Sequence, residues 1–384
     1  MTPAARTQAA IELLDAIIAA ARDEGAAADT LIARYFAARR YAGSKDRRAV
    51  RELVYAAVRA LGERPASGRA ALLALARDDA SLAATFDGSR HGPAPIDPAE
   101  PAATRGALPH WLAERLAADG LDEGERAALV GRAPLDVRVN TLRADPASVE
   151  GEPIAGLPAA RRLPPGTDLA PLAGLVEAQD AGSQAVTLAV GAAPGMTVLD
   201  LCAGAGGKTL ALAAAMENRG RIVAADADRS RLARLMPRAE RAGVTIVETR
   251  LLDGGHEVEA LGDLAADAVL VDAPCSGTGT WRRNPEARWR LTPARLDRLV
   301  ALQARLLDVA AACVAPGGAL VHVVCSLFDV EGAGQVDAFL ARHPGWSAEP
   351  LALPLGQPHR AGVRLTPAHD GSDGFFVARL RSPC

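Results

Sequence analysis

Two segments of this chain place a thiol just past an apolar run. Val269-Leu270-Val271 leads into Asp272-Ala273-Pro274-Cys275-Ser276-Gly277-Thr278-Gly279, and Leu320-Val321-His322-Val323-Val324 leads into Cys325-Ser326. Short apolar runs bounded by Pro, Gly and Ser read as buried strands. In an open parallel sheet, neighbouring strands lie about 4.8 Å apart, and ligands bind beyond their carboxyl ends. Two thiols 50 residues apart in sequence then face one crevice. A lone cysteine is usually a small buried hydrophobe, but two at the same topological position, each followed by serine, form a candidate functional pair.

A third segment, Asp200-Leu201-Cys202-Ala203-Gly204-Ala205-Gly206-Gly207-Lys208-Thr209, is a Gly-rich turn between an apolar run and a helix-like stretch. Glycines there let a ligand approach the backbone and the N-terminus of the helix. A P-loop needs glycine where Cys202 stands, and a dinucleotide fingerprint needs one where Thr209 stands. Asp226, 22 residues after Gly204, ends the next run. Its carboxylate could take both hydroxyls of a ribose, which implies an adenosine-containing cofactor, or it could cap a turn.

The elements that must hold these residues alternate. After Gly182, runs at Met196–Leu201, Arg221–Asp226, Val244–Val247, Ala268–Asp272 and Ala319–Val324 are separated by helix-like stretches at 207–217, 229–242 and 293–314. That alternation reads as a doubly wound, mostly parallel α/β sheet, with Gly374–Leu380 as a final edge or hairpin strand. Residues 1–86, Ala/Leu/Arg-rich at helical spacing, read as an all-helical domain. Residues 87–106 read as a Pro-rich linker, 107–180 as a small α+β intermediate module, and 181–384 as the catalytic domain.

Across 384 residues, 49% are apolar and 23% charged, and no apolar run approaches the roughly 18 residues of a membrane span. Five cysteines without zinc spacing, and no leader-like apolar core at Met1–Arg6, lead us to expect a reduced, cytoplasmic protein without structural metal. Cys313 falls at apolar helical spacing and reads as core, Cys202 as turn packing. The formal charge of −3 excludes a global positive field. Local patches remain: residues 281–305 carry seven arginines against two acids, interleaved with Trp281 and Trp289, and residues 1–70 sum to +4. Arginine forks suit phosphates and aromatic rings stack on bases, so Trp281, Arg282, Arg283, Arg288, Arg47 and Arg48 are candidate RNA contacts.

Together these motifs resemble the Sun/RsmB-type family of RNA cytosine carbon-5 methyltransferases. Asp200–Thr209 is similar to the family's cofactor loop, Asp272–Gly279 to its substrate loop and Cys325-Ser326 to its catalytic Thr-Cys-Ser. Ala178-Gln179-Asp180-Ala181-Gly182-Ser183-Gln184 and Asp370-Gly371-Ser372-Asp373-Gly374-Phe375-Phe376 are similar to two further motifs, so the resemblance spans roughly residues 135–384. It implies a Rossmann-like methyltransferase sheet. It also implies S-adenosylmethionine held by Cys202, Ala203, Gly204, Ala205, Gly206, Gly207 and Lys208, with Asp226 on the ribose, Asp253 near the adenine and Asp272 beside them.

The resemblance assigns Cys325 as the nucleophile on carbon 6 of cytosine and Cys275 as its helper in release, with Asp272 balancing charge at ring nitrogen 3. Asp46–Tyr55 resembles the NusB-like helical domain of bacterial members that modify small-subunit ribosomal RNA, which implies 16S ribosomal RNA as substrate, with transfer RNA as the alternative; nothing in the sequence argues against a monomer. An exocyclic-amine methyltransferase is disfavoured by Pro274-Cys275. Gly204-Ala205 replaces the family's usual Ala-Pro. Val324 replaces the usual Thr and Gly332 the usual Asn, which leaves a non-catalytic RNA-binding assembly factor as a third reading.

Overall fold

The computed structural model describes residues 1–23 and 25–384. The chain forms two units, Met1–Arg132 with Thr280–Thr292, and Ala133–Gly279 with Pro293–Cys384.

The first unit is helical. Thr2 caps the helix Pro3–Arg22, with proline at its first turn where no backbone donor is missed. Its apolar stripe, including Leu13, Leu14 and Ile17, packs with Phe36, Val54 and Leu72 from the helices Ala28–Ala37, Ser44–Ala60 and Gly68–Ala76. Gly68 is required by close approach, because a Cβ there would stand 2.2 Å from the Ile11 carbonyl oxygen.

The stretch 87–106, expected as a linker, is instead bound to this unit. Proline cannot donate a backbone hydrogen bond, so side chains and neighbouring backbone meet the segment's acceptors. Arg69 donates to the Ala94 and Pro95 carbonyls at 3.0 and 3.1 Å and pairs with Glu100. The helices His110–Ala118 and Glu123–Ala128 also belong here, so the boundary falls at 132/133 and divides the expected intermediate module.

In the second unit, β1 (Leu135–Val139), β2 (Glu152–Ile154), β3 (Leu157–Leu163) and β4 (Val176–Ala178) make an antiparallel sheet in the order β2-β3-β1-β4. The main sheet comprises β5 (Thr197–Leu201), β6 (Arg221–Asp226), β7 (Val247–Leu251), β8 (Ala266–Asp272), β9 (Val314–Val324), β10 (Ser347–Glu349), β11 (Gln357–His359), β12 (Gly362–Leu365) and β13 (Phe375–Arg381). Its order is β11-β12-β13-β9-β8-β5-β6-β7, with β10 on β13; β5 to β9 run parallel and β13 antiparallel to β9.

Strand order reverses beside β5, which lies between β6 and β8. This is the switch point at which such sheets bind ligands. The expected strand at 244–247 lies further on, as β7, because that outer strand reads Val-Glu-Thr-Arg-Leu and presents few apolar residues to a pattern search. Among the described residues no helix is long and apolar enough to cross a membrane.

Candidate active site

The Gly-rich turn leaves β5 through three left-handed residues, Cys202 (φ 95°), Gly204 (φ 56°) and Gly206 (φ 86°). A cysteine in that region is strained. It is held by hydrogen bonds from the Cys202 and Ala203 amides to the Ala225 carbonyl, at 2.8 and 2.9 Å. Gly206 then opens the helix Gly207–Ala215, and the space a Cβ would take at Gly207 is empty. Asp226, buried at the end of β6, accepts from the Gly204 amide through one oxygen and from the Asp228 amide through the other, both at 2.7 Å. It therefore fixes the turn at the end of β6. Asp253 is exposed beyond β7.

Asp200 lies under the turn, fully buried. One of its oxygens accepts from Thr209 Oγ1 at 2.6 Å and the other has no partner. Burial pushes its carboxyl up to about 7, against the opposing hydrogen bond from Thr209. Lys208 reaches across to Asp272 at the end of β8, Nζ to Oδ2 at 2.6 Å. Burial favours the neutral amine, but the Asp272 carboxylate outweighs it and the ammonium is held above its ordinary range. The open Gly207 cradle, the carboxylate at the end of β6 and the buried pair form a donor set that fits a nucleoside bearing an amino-acid tail.

The two sequence-flagged thiols meet. Asp272 is in register with Val323, so β8 and β9 release their loops side by side, and Cys275 Sγ lies 3.4 Å from Cys325 Sγ. The hydrogen bond to Cys325 and burial push the Cys275 thiol well up, which favours its protonated form.

Sequence reasoning missed what holds them. Glu331, fully buried, accepts from the Ser276 amide at 2.8 Å, from Gln303 Nε2 at 3.0 Å, from Ser326 Oγ at 2.6 Å and from Ser276 Oγ. One carboxylate thus clamps the serine after each cysteine, and the repeated Cys-Ser doublet was the available signal. Gly332 is explained by packing, since a Cβ there would stand 2.7 Å from Phe376 Cγ. Val324 is fully buried in the apolar layer under the site and pairs with Phe376.

Two outlying motifs also close on the site. The Asp373 amide donates to Asp180 at 3.1 Å, and Gly374 packs directly on Gly279, where a Cβ would meet its carbonyl oxygen at 2.0 Å. Phe375 presents its ring to Lys208, 5.6 Å from the ammonium.

The arginine-tryptophan segment does not join them. Residues 280–292 belong to the first unit, where Trp281, Arg282, Arg288 and Trp289 are buried. Arg288 donates to the Val58 and Leu61 carbonyls at 2.5 and 2.8 Å, satisfying the C-terminal end of the helix Ser44–Ala60. Trp289 Nε1 donates to Gly62 at 3.0 Å, and Glu286 accepts from the Ala28 amide at 3.0 Å. Trp281, Arg282 and Arg288 are therefore corrected from RNA contacts to packing and capping groups. Arg283 is half-buried, and Arg47 and Arg48 are exposed.

A reversing parallel sheet, a Gly-rich turn at its switch point and an antiparallel strand beyond β9 define a Rossmann-like methyltransferase domain. Residues 187–381 match the family model described as 16S rRNA methyltransferase RsmB/F, and the chain belongs to that family. It is 36% identical over 271 residues to the probable ribosomal RNA small subunit methyltransferase B of Synechocystis sp., covering 64% of this chain and 60% of the relative. It is 44% identical over 191 residues to ribosomal RNA small subunit methyltransferase B of Thermus thermophilus, covering 50% and 46%. Among solved structures it is similar to PH0851, with a TM-score of 0.76, 25% identity and 99% of each chain covered. A methyltransferase homolog protein from Pyrococcus horikoshii superposes with a TM-score of 0.59 at 27% identity, over 72% of this chain and 100% of that one.

Proposed function

We propose that this protein transfers a methyl group from S-adenosylmethionine to carbon 5 of a cytosine in 16S ribosomal RNA, through a covalent bond between Cys325 and carbon 6. The observation that carries the reading is the contact of Cys325 with Cys275 beside the Lys208–Asp272 pair. Carbon 5 of cytosine is a poor nucleophile, and covalent addition at carbon 6 splits one hard step into easier ones. The bound cofactor supplies an electrophilic methyl group.

The Cys325 thiolate adds to carbon 6, and the displaced electron pair moves toward ring nitrogen 3. Lys208, whose ammonium donates to Asp272, passes a proton through that carboxyl to ring nitrogen 3, so the pair meets the negative charge that develops there as an acid. After methylation a water takes the carbon 5 proton, the electron pair of that C–H bond re-forms the carbon 5–carbon 6 double bond, and the bond to Cys325 breaks with its pair returning to sulfur while ring nitrogen 3 gives back its proton. Cys275, held as a thiol, donates its hydrogen bond to that departing thiolate.

Asp226, Asp253 and the 202–208 turn are the residues that would hold S-adenosylmethionine, the carboxylate at the end of β6 taking its ribose hydroxyls. Arg47, Arg48 and Arg283 supply RNA phosphate contacts. Because the aligned part spans 60% of the Synechocystis relative, the ribosomal substrate is carried by family membership and is part of the proposal.

The test is RNA containing 5-fluorocytosine, whose carbon 5 has no proton to lose after methylation. With S-adenosylmethionine the protein should form an adduct that survives denaturation, and Cys325→Ala should form none. An undiminished adduct in that variant would overturn the mechanism.

A further inference from the structure

The contact between the two thiols supports a second chemistry that methyl transfer does not use. We propose that Cys275 and Cys325 are a redox pair that a peroxide closes into a disulfide, reversibly capping the nucleophile. The bond itself does not depend on the substrate assigned above, although its consequence for activity does.

The geometry is close to that required. The sulfurs are 3.4 Å apart and a disulfide brings them to about 2.05 Å, so the loops need to close by about 1.3 Å. Both cysteines lie past strand ends rather than inside the ladder, and both are only partly buried, so a small oxidant can reach them. The serine after each is held by Glu331, which keeps the sulfurs facing one another. The other thiols lack such a neighbour: Cys313 is buried in the apolar core, Cys384 is exposed, and Cys202 sits in the strained turn.

The roles divide by charge. Cys325, the nucleophile of the reaction proposed above, lies near enough to Lys208 for their charges to interact and only 3.4 Å from Cys275, so it takes the first attack and Cys275 resolves it. It attacks one peroxide oxygen, the O–O bond breaks, and the departing oxygen leaves as water while sulfur becomes a sulfenic acid. Cys275 then attacks that sulfur and gives up its proton, the S–O bond breaks, and hydroxide leaves as a second water. Two thiols lose two electrons and two protons, and the peroxide is reduced to two waters. Closure at this stage keeps Cys325 from the irreversible sulfinic state.

The experiment treats the reduced full chain with hydrogen peroxide, alkylates the remaining thiols and maps peptides without reductant. A Cys275–Cys325 linked peptide pair, lighter by two hydrogens, is expected, with loss of two of the five alkylatable thiols. Adduct formation with 5-fluorocytosine RNA should be lost and then regained with dithiothreitol. In Cys275→Ala, the same treatment should carry Cys325 on to sulfinic acid that dithiothreitol does not reverse. Recovery of Cys325 as sulfinic acid in the parent protein with Cys275 still alkylatable, or equal rescue of the variant, would overturn the pair. A cross-link in protein that makes no RNA adduct supports the pair and removes the methyl-transfer reading.

Discussion

Residues 272–279 and 280–292 are consecutive in sequence and opposite in fate. The first stretch turns its Asp, Cys and Ser toward β9 and the cofactor loop, where each meets a partner of matching chemistry. The second, richer in arginine and aromatic residues, belongs to the helical unit and uses those groups to cap a helix end. Residue type alone does not separate a binding patch from a structural one. The separation depends on whether neighbouring backbone leaves carbonyls that water cannot reach. Burial acts on both stretches with the same physics and opposite outcomes: it lowers the Arg288 guanidinium to about 10, leaving it charged at neutral pH, and raises the Asp200 carboxyl to about 7.

The sharpest way to break this contrast is Arg288→Ala. The change removes the Arg288 donor from the Val58 carbonyl and leaves the Leu61 carbonyl with only the longer bond from Trp289 Nε1 at 3.3 Å, and it should destabilise the helical unit by about 1–3 kcal/mol. Denaturant unfolding followed by far-ultraviolet circular dichroism measures this. A variant as stable as the parent but weaker on RNA would restore the segment as an RNA contact.

A smaller effect is expected at Asp200→Asn. The folded carboxyl titrates near 7 and an unfolded one near 3.9. The folded state therefore keeps a proton that the unfolded state has released, and stability falls as pH rises from about 4 to about 7. Asparagine can still accept from Thr209 and carries no charge, so the variant should lose less stability than the parent between pH 5 and pH 8. Parallel slopes from urea midpoints at the two pH values would show that burial does not protonate this group.

The smallest effect belongs to exposed arginines. Replacing Arg47 and Arg48 together with alanine should weaken RNA binding only several-fold and reduce the salt slope by about 1–2, as expected for two lost phosphate contacts. Fold stability should fall by no more than about 1 kcal/mol, from loss of the Arg47 Nε bond to the Ala42 carbonyl at 2.8 Å. An unchanged slope would remove this face from the RNA surface.

Several features were legible because they are local. β6 and the long helix Pro293–Cys313 follow apolar periodicity, and the Gly-rich turn announces itself through residues that tolerate left-handed backbone. The 87–106 strap was not legible, since proline content signals an inability to form helix and says nothing of whether Arg69 will bind the carbonyls left open. The role of Glu331 was half legible: Glu331-Gly332 stands where the resembled family has Glu-Asn and the repeated Cys-Ser doublet marks its partners, but nothing in the sequence sets Ser276, 55 residues away, against this acid.

The sequence by itself determined the alternating elements, the nucleophile candidates and the positions where only glycine or a small residue fits, because those depend on backbone sterics and on side-chain period. Tertiary structure decided which polar groups share a neighbourhood. Lys208 meets Asp272, Asp180 meets Asp373 and Cys275 meets Cys325 because strand order and register bring distant carboxyl ends together. The arginines of 280–292 were decided the same way: a charged side chain goes inside wherever a folded neighbour presents carbonyls that only it can satisfy.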